Sequence, residues 1–164
     1  MPLKINFDDA GDEPGWTALN DEVMGGISTG NALVAGGRLR FAGALSLANN
    51  GGFASVRTKG RDFDLSGAGA VTMRVRGDGR RYQLRLATDA RHRGIAVSFG
   101  AEFATQAGEW IEVRLPLGSL KATVRGSPVT DVKLNPSGVR EIGLLIADKR
   151  EGPFLLEVDW IAAG

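Results

Sequence analysis

Apolar and polar residues alternate with a period of two through much of the chain, in short segments broken by glycine. Leu3-Lys4-Ile5-Asn6-Phe7 opens the pattern, which resumes at Arg38 to Gly43 after Gly36-Gly37, at Phe53 to Thr58 and at Val71 to Arg76. Gly77-Asp78-Gly79 then leads into Arg80 to Leu86. Asp-Gly supplies the positive φ angles of a tight turn, so these last two segments are predicted to pair as a hairpin. Ile95 to Phe99, Trp110 to Leu115, Glu141 to Ala147 and Phe154 to Ile161 continue the series. No window sustains a period of 3.6, and only Leu117 to Leu120 and Asn135 to Gly138 carry the marks of a helical turn. About eight to ten short strands separated by turn signals predict an all-β fold, a β-sandwich of jelly-roll type.

The same period assigns faces. Val71, Met73, Val75, Tyr82, Leu84, Leu86, Ile111, Val113 and Leu115 fall on the core side. Thr72, Arg74, Arg76, Gln83, Arg85, Glu112 and Arg114 fall on the other side, together with Trp110. One sheet is therefore expected to carry an Arg/Gln/Glu surface. A solvated outer face explains it, and so does a ligand face, since guanidinium forks suit carboxylates, phosphates and hydroxyls. Trp110 is either a stacking platform on that face or a ring covered by a loop or by the N-terminal segment.

The stretch from Trp16 to Ser28 breaks the pattern. It is too glycine-rich for a helix and too irregular for a long strand, yet it holds Asn20-Asp21, Val23-Met24, Gly25-Gly26 and Ser28. Adjacent glycines mark backbone at positive φ or in close approach to another group. A second stretch, Asn49-Asn50-Gly51-Gly52, leads into a strand ending at Arg57. An architectural reading has asparagines capping turns and Val23, Met24 and Phe53 plugging the core. A binding reading has Asn20, Asp21, Ser28, Asn49, Asn50 and Arg57 converging as a polar pocket.

Composition narrows the classes. A chain of 164 residues reads as one domain, and glycine at 24 of them is about twice the usual share. Lys and Arg total 20 against 19 Asp and Glu, so charge alone implies no nucleic-acid partner. There is no cysteine, hence no disulfide framework or thiolate chemistry. The first nine residues show no apolar leader and no apolar run approaches the roughly 20 residues of a membrane span, so a cytoplasmic protein is expected.

Catalytic chemistry is hard to find. His92 sits in a polar stretch with no second histidine or cysteine and reads as an exposed loop residue. No nucleophile elbow, phosphate loop or dinucleotide fingerprint occurs. Asp8, Asp9, Asp12 and Glu13 could meet Asp159 around a calcium ion if the terminal strands pair, though acidic loops in water are the favoured reading. No spacing selects a pair of carboxylates for glycoside hydrolysis. No cofactor is expected.

The two glycine blocks carry a resemblance. Asn20-Asp21-Glu22-Val23-Met24-Gly25-Gly26-Ile27-Ser28 and Asn49-Asn50-Gly51-Gly52-Phe53-Ala54-Ser55-Val56-Arg57 resemble, in order, the N-D-x-V-M-G-G-x-S and N-x-G-G-F-x-S-x-R signatures of the complex I intermediate-associated protein family, the thirty-kilodalton assembly-factor type. Gly77-Asp78-Gly79 through Tyr82, Trp110 with Leu115-Pro116, Ile142-Gly143, and Asp148-Lys149 through Gly152-Pro153-Phe154 resemble its later motifs. The resemblance implies a galactose-binding-like jelly roll and a binding role without catalysis, with protein partners that include respiratory-chain subunits. Mitochondrial members carry a transit peptide and N-terminal extension; this chain resembles the bare domain of bacterial relatives. Three functions stand side by side: a scaffold that assists protein assembly, a carbohydrate- or small-anion-binding module using the Arg/Gln/Trp face, and an enzyme built on a carboxylate pair. The resemblance and the missing catalytic constellation favour the first. Sugar binders usually show several exposed aromatics, and this chain offers one at most.

Overall fold

The computed structural model describes residues 3–7, 15–21, 25–59 and 62–164, with the side chains of Leu3, Asn50 and Lys59 outside the description. The described residues form thirteen strands and no α-helix: β1 (Leu3–Asn6), β2 (Gly15–Asn20), β3 (Thr29–Ala35), β4 (Arg38–Leu45), β5 (Ala54–Lys59), β6 (Ala70–Arg76), β7 (Arg81–His92), β8 (Ile95–Ala104), β9 (Trp110–Pro116), β10 (Lys121–Val124), β11 (Ser127–Pro128), β12 (Glu141–Ile146) and β13 (Gly152–Ala163). The predicted helical turns are short 3-10 turns at Leu117–Ser119 and Pro136–Gly138. Two antiparallel sheets result, as the jelly-roll prediction requires. Sheet I runs β3-β4-β13-β6-β9, with β1 also on β13, and sheet II runs β11-β10-β8-β7-β12-β5-β2.

The inward side chains of both sheets form the core. Phe41, Met73, Val75, Leu156, Val158 and Ile161 from sheet I meet Val56, Tyr82, Leu84, Leu86, Leu144 and Ile146 from sheet II, all fully buried. Ile111 and Val113 sit at its margin, half-buried. Strand β13 is long enough to serve two partners on one edge, β4 along 152–158 and β1 along 160–163. Its register against β6 shifts between Val158 and Trp160. A bulge there turns Asp159 and Trp160 outward together and lets the strand bend between its partners.

The predicted hairpin of Val71–Arg76 with Arg80–Leu86 does not form. β6 pairs with β13 and β9 in sheet I, and β7 pairs with β8 and β12 in sheet II. The Gly77-Asp78-Gly79 turn therefore bridges the two sheets, and its groups are bonded elsewhere. Gly77 bridges to Ala107 and the Asp78 carboxylate accepts from the Leu155 backbone at 2.9 Å. Alternation and an Asp-Gly turn describe an arch as well as a hairpin; only the third dimension separates them. As a consequence, the Arg/Gln/Glu surface expected on one sheet is divided. Arg74, Arg76, Trp110, Glu112 and Arg114 face outward from sheet I, while Gln83 and Arg85 belong to sheet II. The first part of the Trp16 to Ser28 stretch is also corrected: Gly15–Asn20 is edge strand β2, with Trp16 packed inward at 6.3 Å from Phe7. His92 ends strand β7, half-buried, with Nδ1 at 2.8 Å from Asp131, and is no exposed loop residue.

Parity along β12 can be tested directly, since Leu144 faces the core and Leu145 the outer face. Leu144→Ala is expected to cost about 2–5 kcal/mol in urea unfolding. Leu145→Ala is expected to cost less than about 1 kcal/mol. Equal costs would refute the assignment of faces.

Candidate functional site

The two glycine blocks meet on one buried carboxylate. Asp21 follows β2 and has 0% of its surface exposed. Its Oδ1 accepts from the Ser28 backbone N–H at 2.9 Å, and its Oδ2 lies 2.6 Å from Ser28 Oγ. From the second block, the Gly52 and Phe53 N–H groups donate to Oδ2 at 2.6 and 3.3 Å. Four donors saturate a carboxylate. Each glycine pair divides its work: Gly25 (φ +86) and Gly52 (φ +140) take positive φ, while Gly26 and Gly51 press against the carboxylate. A Cβ at Gly51 would lie 2.5 Å from Oδ2, and one at Gly26 would overlap Asp21 Cγ.

Neighbouring groups close the clasp. Ser28 Oγ accepts from Ser46 N at 2.9 Å, tying in the end of β4. Asn20 Nδ2 donates to Gly30 O at 3.2 Å, and Asn20 Oδ1 accepts from Ser55 N at 3.3 Å. Burial alone would raise the Asp21 pKa. The Ser28 hydroxyl and the Gly52, Ser28 and Phe53 amides outweigh it and hold the carboxyl below its ordinary range. Asn20, Asp21 and Ser28 thus face inward, bonded to one another's blocks. Asn49 is exposed at the turn with φ 57. Val23, Met24 and the Asn50 side chain lie outside the described residues. Arg57 points away on the outer face of sheet II, 3.4 Å from Glu141.

A second buried network joins two further motifs, and sequence reasoning saw only its turn. Arg80 donates Nε and Nη2 to Asp148 at 2.9 and 2.6 Å, and Nη1 to Gly152 O and Pro153 O at 3.1 and 3.0 Å. Nη2 also reaches Arg150 O, so all five guanidinium N–H groups are used. Asp78 accepts from Arg80 N at 3.1 Å and from the Tyr82 hydroxyl at 3.0 Å. The Arg80 pair holds Asp148 below the ordinary carboxylate range against its burial. Burial and the Asp78 charge push the Tyr82 phenol far up. Asp148 and the Gly-Pro-Phe ending were the available signal, because a carbonyl-rich segment beside an acid suits the guanidinium fork of an arginine.

The outer faces differ in charge balance. On sheet I, Trp110 lies under the guanidinium groups of Arg74, Arg76 and Arg38 at 4.8, 4.9 and 5.3 Å from its ring centre. Glu157 takes Arg76 at 2.8 Å and Arg38 at 3.5 Å, and Asp159 takes Arg74 at 3.4 Å. Trp110 is therefore covered by arginines of its own sheet. Asp159 is occupied by Arg74, and the acids once paired with it, Asp8, Asp9, Asp12 and Glu13, lie outside the described residues. Among the described residues no group of three or more His, Asp and Glu side chains is placed to hold a metal ion. On sheet II, Gln83 and Arg85 line an open groove of about 200 Å³ with Gly100, Glu102, Lys121 and Thr123.

The clasp predicts an acid response. The folded-state pKa of Asp21 lies below the ordinary 3.8, so folding favours the ionised form. That contribution is present above the ordinary value and is lost as pH falls through the lower folded value. Asp21→Asn is expected to cost about 2–3 kcal/mol at pH 7 and to flatten the acid limb of stability, leaving the parts due to Asp148 and the exposed Asp64. Denaturant melts from pH 7 to pH 3 check this. A variant as steep as the wild type would overturn it.

Comparison with known proteins follows the same motifs. The family model for Complex I intermediate-associated protein 30 matches residues 5–158. The mitochondrial Complex I intermediate-associated protein 30 of Mus musculus is 32% identical over 103 residues, covering 60% of this chain. The match covers 31% of the mouse protein, so this chain spans about a third of its length. Among solved structures, a family 11 carbohydrate-binding module of a cellulosomal cellulase of Clostridium thermocellum is similar at a TM-score of 0.71 and 12% identity, covering 99% of this chain and 95% of that one. A family 30 carbohydrate-binding module follows at 0.60 and 15%, covering 99% of each. These likenesses show a shared sandwich fold. With the family model matched over nearly the whole length, the chain belongs to the Complex I intermediate-associated protein 30 family.

Proposed function

We propose that this protein is a non-catalytic binding module that assists assembly of a respiratory complex by holding a protein partner, and that the end of the sandwich closed by the Asp21 clasp is the docking end. The observation that carries this reading is the exposure of Ile27 (61%) and Leu47 (40%) beside that clasp. Each is the chain neighbour of one member of the bonded Ser28–Ser46 pair, so two apolar side chains are held outward on a fixed backbone. Leu47 N is further tied to Glu151 Oε1 at 3.0 Å. Preorganised apolar anchors beside a rigid loop are what a protein interface uses, because little ordering entropy is lost on docking. Family membership supplies the class of partner, a subunit or intermediate of complex I. The saturated Asp21 and Arg80 networks offer no reactive group, in keeping with binding. A carbohydrate reading has the neighbouring folds behind it, but Trp110 is stacked under three guanidinium groups and Trp160 lies 5.6 Å from Lys4 Nζ.

Affinity capture of the tagged protein from its own cells tests the reading. Wild type is expected to retain respiratory-chain subunits, and Ile27→Asp/Leu47→Asp to lose them by tenfold or more with an unchanged melting temperature. Capture of the same subunits by the double variant would sink the docking end. Absence of any respiratory-chain subunit with wild type would sink the assembly role.

A further inference from the structure

One half-buried charge in the fold is left open where Asp21 and Arg80 are closed. Arg85 stands in the middle of sheet II, on the outer face of β7, half-buried. Its Nε donates to Gln83 Oε1 at 3.0 Å and its Nη1 to Ser98 Oγ at 3.1 Å, both neutral partners. Its Nη2 makes no hydrogen bond, and no carboxylate pairs with the guanidinium, among the described residues. Burial lowers the Arg85 pKa with no opposing acid, although the group stays charged. A half-buried cation without a counter-ion is costly, and Arg80 shows how this chain treats one that is structural.

The register shows how the space around Arg85 is kept. One rung of sheet II reads Lys121, Gly100, Arg85, Gly143, Arg57, Thr17 from β10 to β2. Glycines stand on both sides of Arg85. A Cβ at Gly100 would lie 2.9 Å from Arg85 Cδ, so glycine there lets the arginine lie down across β8. Lys121 is on the same rung two strands away, about 10 Å, and makes no ion pair among the described residues. At the other end Arg57 is taken by Glu141, so the open charge is at the β7–β10 end of the rung.

We infer that the groove over β7, β8 and β10 binds a carboxylate group, held by Arg85 Nη2, the Gln83 side-chain amide and Lys121 Nζ. Because Gln83 Oε1 accepts from Arg85 Nε, its Nε2 is left to donate toward the groove. Thr123 adds a hydroxyl at the far wall. Lining charges are Arg85 and Lys121 against Glu102, which Arg81 holds at 2.5 Å. Their balance of one positive charge suits a single carboxylate, and Glu102 repels a dianionic phosphate. The carboxylate belongs to a small free acid or to an acidic side chain of a polypeptide. This inference does not depend on the docking end around Ile27 and Leu47.

A titration followed by amide NMR shifts at constant ionic strength tests it, using butyrate, the capped peptide Gly-Glu-Gly and inorganic phosphate as probes. Saturating shifts are expected at Gln83, Gly100, Lys121 and Thr123 with butyrate or the peptide, and the tighter of the two identifies the source. Arg85→Met is expected to weaken binding tenfold or more while leaving the melting temperature equal or higher, since it removes an uncompensated cation. Arg85→Lys keeps the charge but loses the fork and is expected to fall between. Gly100→Ala pushes Arg85 aside and is expected to weaken binding without changing any charge. Undiminished shifts in Arg85→Met, phosphate binding tighter than both carboxylates, or no saturating shift with any probe would each overturn the inference. Capture of respiratory-chain subunits through Ile27 and Leu47 is unaffected by any of these outcomes.

Discussion

The Asp21 carboxylate is the constraint on which one end of the sandwich depends. It carries a full charge into a site closed to water, and it is compensated only by neutral donors from the two glycine blocks. Three of those four donors are backbone amides, so satisfying the charge means bending the chain around it. Hence one glycine of each pair takes positive φ and the other yields its side-chain space to the carboxylate. Ser28 then passes the constraint to β4 through Ser46, and Asn20 passes it to β3 and β5 through Gly30 and Ser55. A loop that is irregular in sequence is in this way as determined as a strand.

Three ionised groups in the fold illustrate three ways of burying charge. Asp21 is wrapped in three amides and a hydroxyl. Arg80 is paired with Asp148 and caps the carbonyls at the start of β13, which locks the arch between the sheets. Both arrangements use every donor or acceptor, which is the condition under which a buried charge stabilises a unique geometry. Arg85 has neutral partners, as Asp21 does, but alone of the three keeps a group, Nη2, without a partner among the described residues. The contrast matters because a saturated charge is accounted for by the fold it holds, whereas an unsaturated one is not.

Much of the fold was legible because its physics is local. Period-two alternation placed Val71, Met73, Val75, Tyr82, Leu84 and Leu86 in the core, where all are buried. The paired glycines announced positive φ and close approach, and both occur. What escaped were facts about partners. Strands β6 and β7 alternate like a hairpin, yet their hydrogen bonds go to β13, β9, β8 and β12, far along the chain. Edge strand β2 was hidden because Trp16, Thr17, Ala18, Leu19 and Asn20 mix face and size. Of the candidate site residues, Arg85 and Gln83 could be named from face alone. That Arg85 lacks an acid, while Arg74, Arg76 and Arg57 have one, depends on Glu157, Asp159 and Glu141 arriving from distant strands.

The two outer faces follow from that difference. On sheet I, β13 lies between β4 and β6 and delivers Glu157 and Asp159 to the arginines on either side, while Trp110 covers the remaining guanidinium surface. On that face Arg38, Arg74 and Arg76 are each paired, and Arg40 and Arg114, unpaired among the described residues, are exposed to water, which already solvates them. On sheet II the strand beside β7 on one side is β12, which offers Gly143 opposite Arg85 and sends its Glu141 to Arg57 instead. On the other side β8 offers Gly100. Small residues on both flanks keep Arg85 from being buried by its neighbours, and the absence of an acid on its rung keeps it from being neutralised by them. A half-buried cation that is both open and unpaired is the one where an outside anion gains the most, and the strand register places it on sheet II.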